Sequence, residues 1–145
     1  MARCRLIYTS VSTEDVMSNE ALTELLEKSA RNNLRKEITG LLLLSGNRFV
    51  QVLEGDSQVV NELYGKIFQD ARHHQVELLS YELTETAYFS DWSMRLVDLY
   101  NLPMSSRRFL MEKYSHHDGE VEIPVNFQEV FSLLLDARVL CQKGS

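Results

Sequence analysis

Two residues stand out against their surroundings, Tyr8 and Gln51. Gln51 lies in Phe49-Val50-Gln51-Val52-Leu53, where strand alternation sets it on the Phe49 and Leu53 side, among apolar neighbours. A glutamine amide there must find hydrogen-bond partners or cost about 1–3 kcal/mol. A satisfied core glutamine or an edge strand with one wet face accounts for it equally well. Tyr8 shares a strand face with Leu6 and needs a partner for its hydroxyl, which a backbone carbonyl can supply. Asn32-Asn33 ends a helical stretch, where asparagine is common; two amides there can also read the donor–acceptor edge of a heterocycle. Trp92-Ser93-Met94 is either core filling or machinery.

Other chemistries are excluded. The histidines come as adjacent pairs, His73-His74 and His116-His117, which do not share a helix face, and no Cys or carboxylate cluster completes a metal sphere. Nucleophile elbow, P-loop and dinucleotide fingerprint are all absent. Glu54 and Asp56 flank Gly55, but a strand end and a helix cap already occupy them.

The elements that must position these residues follow from hydrophobic period. Cys4–Ser10 reads as a strand, then a polar loop with Ser18 placed to cap a helix from Asn19 to about Asn33. Leu22, Leu25, Leu26 and Ser29 form its stripe, with Glu20, Glu24, Glu27 and Lys28 outside. Ile38–Leu44 reads as a strand buried on both faces, joined through Ser45–Arg48 to a strand over Phe49–Leu53. Asp56-Ser57 opens a second helix, and strands follow at about Val76–Leu83 and Met94–Tyr100. The order β-α-β-β-α-β-β is that of a ferredoxin-like α+β sandwich with one added strand. Beyond it, Pro103 starts a helix over Ser105–Tyr114, His116–Val125 reads as a charged linker, and Asn126 caps a last helix. Its stripe, Phe127, Val130, Phe131, Leu134 and Leu135, is expected at a subunit contact or folded back on the sheet.

The 145 residues, 44% hydrophobic and 25% charged, suffice for one full core, so disorder is excluded. A net charge of −6 argues against a broad nucleic-acid surface. No apolar run approaches a membrane span, no signal segment precedes the first strand, and Cys4 and Cys141 build no disulfide framework. The expected compartment is the cytoplasm.

Five segments in order resemble the BLUF family of blue-light sensors using a flavin. They are Arg5-Leu-Ile-Tyr8-Thr-Ser10; Asn32-Asn33-Leu34-Arg35 leading into Ile38-Thr39-Gly40-Leu41-Leu42; Phe49-Val-Gln51-Val-Leu53-Glu54-Gly55; Asp70-Ala-Arg72-His73-His74; and Asp91-Trp92-Ser93-Met94. The resemblance implies a flavin held noncovalently between the two helices, FAD first, with FMN and riboflavin open. It matches Asn33 to the amide on the O4/N3 edge of the ring and Asn32 to its neighbour. Leu25 and Ile67 match the apolar clamps, with Ser29 and Phe49 in the same set. Lys66, Arg72 and His73 match positions around the ribityl chain and phosphate. Tyr8 and Gln51 match the photoactive pair: light draws an electron from the tyrosine, a proton follows, and the glutamine rotates or tautomerises. Trp92 and Met94 match the pair that carries the output.

The resemblance thus implies a photoreceptor without catalytic turnover. A sensor domain over 1–100 is followed by a helical extension over 101–145 for output or oligomerisation, acting on a separate effector protein. A homo-oligomer is expected, with neither nucleic acid nor membrane as partner. The competing reading keeps the scaffold as a small-ligand sensor or protein adaptor without photochemistry. An RNA-binding module lacks exposed paired aromatics, and an acylphosphatase-like hydrolase lacks a phosphate-cradling loop.

Overall fold

The structure is a computed structural model describing residues 2–12, 19–71 and 73–143. Strands β1 (Arg3–Ser12), β2 (Thr39–Ser45), β3 (Arg48–Asp56), β4 (His73–Leu83) and β5 (Arg95–Asp98) form one sheet in the order β4-β1-β3-β2-β5. Helices α1 (Asn19–Arg35) and α2 (Ser57–Gln69) follow β1 and β3, and α3 (Met104–Lys113) and α4 (Phe127–Lys143) follow β5. Neighbouring strands run antiparallel, except that β5 lies parallel to β2. This is the expected ferredoxin-like sandwich with its extra strand at the β2 edge.

Alternation along the strands builds two cores. Leu6, Tyr8, Leu42, Leu44, Phe49 and Leu53 are buried on the face that α1 and α2 cover. Ile7, Leu41, Leu43, Val50 and Val52 are buried on the other, with Val130, Leu133, Leu134 and Ala137 of α4. Both faces of β2 and β3 are therefore dry, which is why Leu41–Leu44 is an unbroken apolar run. Of the two placements expected for the α4 stripe, the structure shows the one folded back on the sheet. Each fully buried Val or Leu there contributes about 1.5–3 kcal/mol.

Caps and turns follow the sequence. Asp56 accepts from the Gln58 and Val59 backbone N–H groups at 3.0 and 3.3 Å, capping α2. Asn126 Oδ1 accepts from the Glu129 backbone N–H at 2.9 Å, capping α4, and Asn126 Nδ2 donates to Glu129 Oε1 at 2.7 Å. The cap expected at Ser18 lies outside the described residues, as do the side chains of Leu22 and Leu26.

Several boundaries differ from expectation by a residue or more, three of them for a visible reason. The last sheet strand is shorter than Met94–Tyr100, because the Asp98 carboxylate accepts from Tyr100 N at 3.0 Å and Asn101 Nδ2 at 2.9 Å, turning Leu99–Asn101 into a 3₁₀ helix. Strand β4 begins earlier, at His73, and accommodates a bulge at Gln75, whose φ is +52°. The stretch read as a linker contains a hairpin, β6 (His116–His117) with β7 (Glu120–Val121). Asp118 and Gly119 turn it with φ of +52° and +79°, the positive pair that two-residue hairpins require. Val121 and Ile123 then enter the core.

Helices α3 and α4 are locked by polar side chains. The Tyr114 hydroxyl donates to Asp136 Oδ2 at 2.6 Å, and Lys113 Nζ reaches the same oxygen at 2.9 Å. At the other end of α4, Gln142 Nε2 donates to Asp91 Oδ2 at 2.6 Å. At the N-terminal end of β1, the Ala2 carbonyl accepts from Ser57 N at 3.0 Å, opposite the start of α2.

Gly40 is fixed by close approach, since a Cβ there would lie 1.9 Å from the Val52 carbonyl oxygen. That oxygen belongs to β3 backbone and cannot swing aside. Gly40→Ala must therefore separate β2 from β3 locally, costing at least the roughly 1–3 kcal/mol of an overpacked core. Thermal unfolding monitored by circular dichroism checks this; an unchanged midpoint contradicts the geometry.

Candidate functional site

Strand pairing sets Tyr8 of β1 directly opposite Gln51 of β3, and Gln51 opposite Leu42 of β2. These three side chains make a row on the helix-covered face and form the floor of a cavity of about 250 Å³. Helix α1 walls one side with Leu25, Ser29 and Asn32, and α2 walls the other with Leu63, Ile67 and the adjoining Asp70. Each set recurs at three, four and seven residues, the spacing of one helix face. Asn33 also lines the cavity and is 2% exposed.

The floor is a hydrogen-bonded chain. The Tyr8 hydroxyl donates to Gln51 Oε1, and Gln51 Nε2 donates to Met94 Sδ at 3.3 Å. The amide head is thereby held with its oxygen toward the phenol and its nitrogen toward the thioether. Nearby, Asn33 Nδ2 donates to the Ser93 carbonyl at 3.1 Å, and Gly40 N to the Trp92 carbonyl at 3.1 Å. The 92–94 segment thus hangs from the end of α1, the start of β2 and Gln51 together.

Trp92 and Met94 point apart. Met94 is buried with the Tyr8 cluster. Trp92 is half-buried and packs with the opposite core, with the Arg95 guanidinium 5.8 Å from its ring centroid.

Burial pushes the Tyr8 phenol far above its ordinary value of 10.0, and the nearby Tyr64 and Asp70 charges add to this. The Tyr64 ring lies 5.5 Å from it, centroid to centroid. A phenol whose folded pKa exceeds its unfolded one stabilises the fold fully below the unfolded value and loses that contribution above it. Stability toward denaturant is expected to hold up to pH about 10 and then fall by about 1.4 kcal/mol per pH unit for Tyr8 alone. Tyr64 and Tyr114, also raised by burial, act in the same direction. Unfolding curves taken on either side of that pH check the sign.

The structure brings together Tyr8, Leu25, Ser29, Asn32, Asn33, Gln51, Lys66 and Ile67 of the expected residues. Phe49 does not line the cavity: it lies two residues from Gln51 on the same face, but is fully buried beside Leu44, its partner on β2. Arg72 and the side chain of His73 lie outside the described residues. Lys28, Lys36, Leu42, Leu63 and Asp70 line the cavity without having been expected there. The signal for most of them was helical spacing, since 28 and 36 share a face with 25, 29 and 32, and 63 and 70 share one with 66 and 67. Lys28 falls outside the apolar stripe because that stripe reports core, not cavity.

A model of the family BLUF, sensors of blue light using FAD, matches residues 4–95. The blue light- and temperature-regulated antirepressor BluF of Escherichia coli (strain K12) is 33% identical over 94 residues, which is 65% of this chain and 23% of that protein. The photoactivated adenylate cyclase subunit beta of Euglena gracilis is 38% identical over 90 residues, 61% of this chain and 10% of that one. The matched stretch thus spans under a quarter of either relative. Among solved structures, BlsA in its photo-activated state is similar at a TM-score of 0.74 and 25% identity, covering 93% of each chain. BlrB, a BLUF protein in its dark state, is similar at 0.73 and 26% identity, covering 97% of each.

Proposed function

The chain belongs to the BLUF family of blue-light sensors using FAD, and we propose that Tyr8 and Gln51 are its photoactive pair, with Met94 as the first residue to register the change. The observation that carries this is the buried chain Tyr8–Gln51–Met94 on the floor of the cavity. The lining suits a flavin. Buried amides offer donors and acceptors to the polar edge of a ring, while Leu25, Leu63 and Ile67 offer apolar contact to its faces. The volume is below the roughly 300–1,000 Å³ of drug-sized ligand sites, so a dinucleotide would extend beyond it. When bound, the flavin supplies blue-light absorption and, once excited, an acceptor for one electron.

The chain's own residues define what can change. The raised pKa of Tyr8 keeps its proton on in the dark, so the phenol gives up that proton only as it loses an electron. Gln51 Oε1 already accepts its hydrogen bond and is the nearest place for the proton to go. Turning the amide head over exchanges its donor and acceptor. Nε2 then faces the Tyr8 oxygen, and Met94 Sδ meets a carbonyl oxygen where it held an N–H. The Met94 contact fails in that state, and the 92–94 segment loses one of its three tethers. Light thereby biases a two-state element.

Output is proposed to pass by conformation and not by turnover, to a separate effector protein in the cytoplasm, with residues 101–145 as the extension that relays it. Among the described residues no helix is long and apolar enough to cross a membrane. Blue illumination of the purified protein is expected to red-shift its flavin band reversibly, recovering in darkness. A bound flavin whose spectrum ignores light overturns the reading.

A further inference from the structure

The five-stranded sheet has two outer edges, β4 and β5. The β4 edge carries devices that discourage further pairing: exposed Glu77 and Glu82, and two register shifts, one of them at the Gln75 bulge. The β5 edge is different. It pairs with β2 alone, and no backbone hydrogen bond outside that ladder reaches Arg95, Leu96 or Val97 among the described residues. All of Arg95–Asp98 lines a groove of about 740 Å³, although successive side chains alternate between the faces of the sheet. What the groove presents is therefore the outer edge of the strand. Its walls are apolar, with Leu102 and Phe109 beside Val139 and Leu140 of α4, and Phe109 and Val139 are 46% and 45% exposed. Two carboxylates on the lining are already engaged. Asp98 accepts from Tyr100 N and Asn101 Nδ2, and Asp136 from the Tyr114 hydroxyl and Lys113 Nζ. Arg95, half-buried, has no ion pair among the described residues.

Resting on the reading that output passes to a separate protein, we infer that the β5 edge takes an extended apolar segment of that partner, carrying one acidic side chain, as a sixth strand of the sheet. Main-chain hydrogen bonds to β5 hold such a segment, and its alternate side chains supply specificity. The four residues of β5 span about 13 Å, which selects a short segment. The acidic side chain meets the Arg95 guanidinium, the charge that the lining leaves without a counter-ion. The edge also adjoins the photoactive floor through the chain itself. Arg95 follows Met94, whose sulfur accepts from Gln51 Nε2, and its guanidinium lies 5.8 Å from the Trp92 ring centroid. A change at 92–94 therefore displaces Arg95 and alters the edge, and a segment bound there acts back on 92–94 by the same coupling.

The full-length protein with its flavin is isotopically labelled and titrated with blocked hexapeptides of valine and threonine that carry one glutamate, glutamine or lysine, and the amide resonances are followed. The expected result is a progressive shift of the β5, α3 and α4 amides, with the glutamate peptide binding about two- to fivefold more tightly than the glutamine one. Arg95→Glu is expected to reverse the order, so that the lysine peptide binds best. Val139→Asn, a change at an exposed position, is expected to weaken the glutamate and glutamine peptides alike. Unmoved β5 amides, equal binding of the glutamate and glutamine peptides, or an unreversed order in Arg95→Glu overturns the inference. Shifts of the same amides on raising the protein concentration alone assign the groove to a second copy and overturn it too. Peptide binding with equal strength in darkness and under blue light upholds the edge and overturns the relay of light to it, a separate outcome.

Discussion

Tyr8→Phe is expected to leave the protein yellow and unresponsive: flavin still bound, the light-induced red shift gone. Phenylalanine keeps the ring that packs 5.5 Å from Tyr64 and the fully buried position on β1. It removes only the hydroxyl that donates to Gln51 Oε1. With that oxygen goes the group that, in the proposed mechanism, releases an electron and a proton together and so turns Gln51. The vacated acceptor costs about 1–3 kcal/mol of stability, too little to unfold a domain of ordinary stability. Difference absorbance under blue light is the measurement. A shift of wild-type amplitude in the variant would falsify the pairing of Tyr8 with Gln51 as the photoactive unit.

Glu54→Leu is expected to cost about 3–5 kcal/mol, the penalty for stranding one partner of a buried ion pair. Arg5 and Glu54 are direct neighbours across β1 and β3, with Nε and Oε2 2.9 Å apart and both side chains at or below 5% exposure. Glu54 also accepts from the backbone N–H groups of Tyr88 and Phe89, at 3.1 and 2.7 Å, fixing the chain as it leaves β4. Arg5 donates further to the Thr86 carbonyl at 2.8 Å and lies 4.6 Å from the Tyr88 ring centroid and 5.4 Å from that of Phe131 on α4. Its contact with Glu82, at 3.3 Å, joins a carboxylate 60% exposed and contributes little. Leucine at 54 leaves the guanidinium charged and two backbone donors unmet. Arg5→Met/Glu54→Leu removes charge from both sides, so its loss must be smaller than the two single losses added together. Denaturant unfolding of the four proteins measures the coupling; strict additivity would show that the pair does not act as a unit.

Much of this was legible in residue spacing. Alternation set Tyr8 beside Leu6 and Gln51 beside Phe49 and Leu53, the run Ile38–Leu44 announced a strand buried on both sides, and the ferredoxin-like order followed from the elements. That Tyr8 and Gln51 meet was expected only from the family resemblance and not from spacing, because register between strands about forty residues apart depends on pairing that no local pattern encodes. The Arg5–Glu54 pair is hidden for the same reason: each looks like an ordinary surface charge until β1 and β3 are laid side by side. The choice between two fates for the α4 stripe rested on whether the sheet kept a bare face, a property of the assembled layers. The hairpin at Asp118-Gly119 is a different case. Its turn signal was present in two residues, and the surrounding charge obscured it.

The bond from Gln142 to Asp91 bears on how this protein could be rebuilt. The last turn of α4 is clipped to the residue before Trp92, three residues from the sulfur that meets Gln51. Toward the amino end, the Ala2 carbonyl just ahead of β1 accepts from the first residue of α2. The two ends are therefore unequal as grafting points. A cargo attached behind α4 pulls on the clip, and through it on the 92–94 segment. A cargo attached ahead of Ala2 pulls on the start of β1 and the first residue of α2. For engineering a light-controlled fusion, the carboxyl end is the handle and the amino end is the mount.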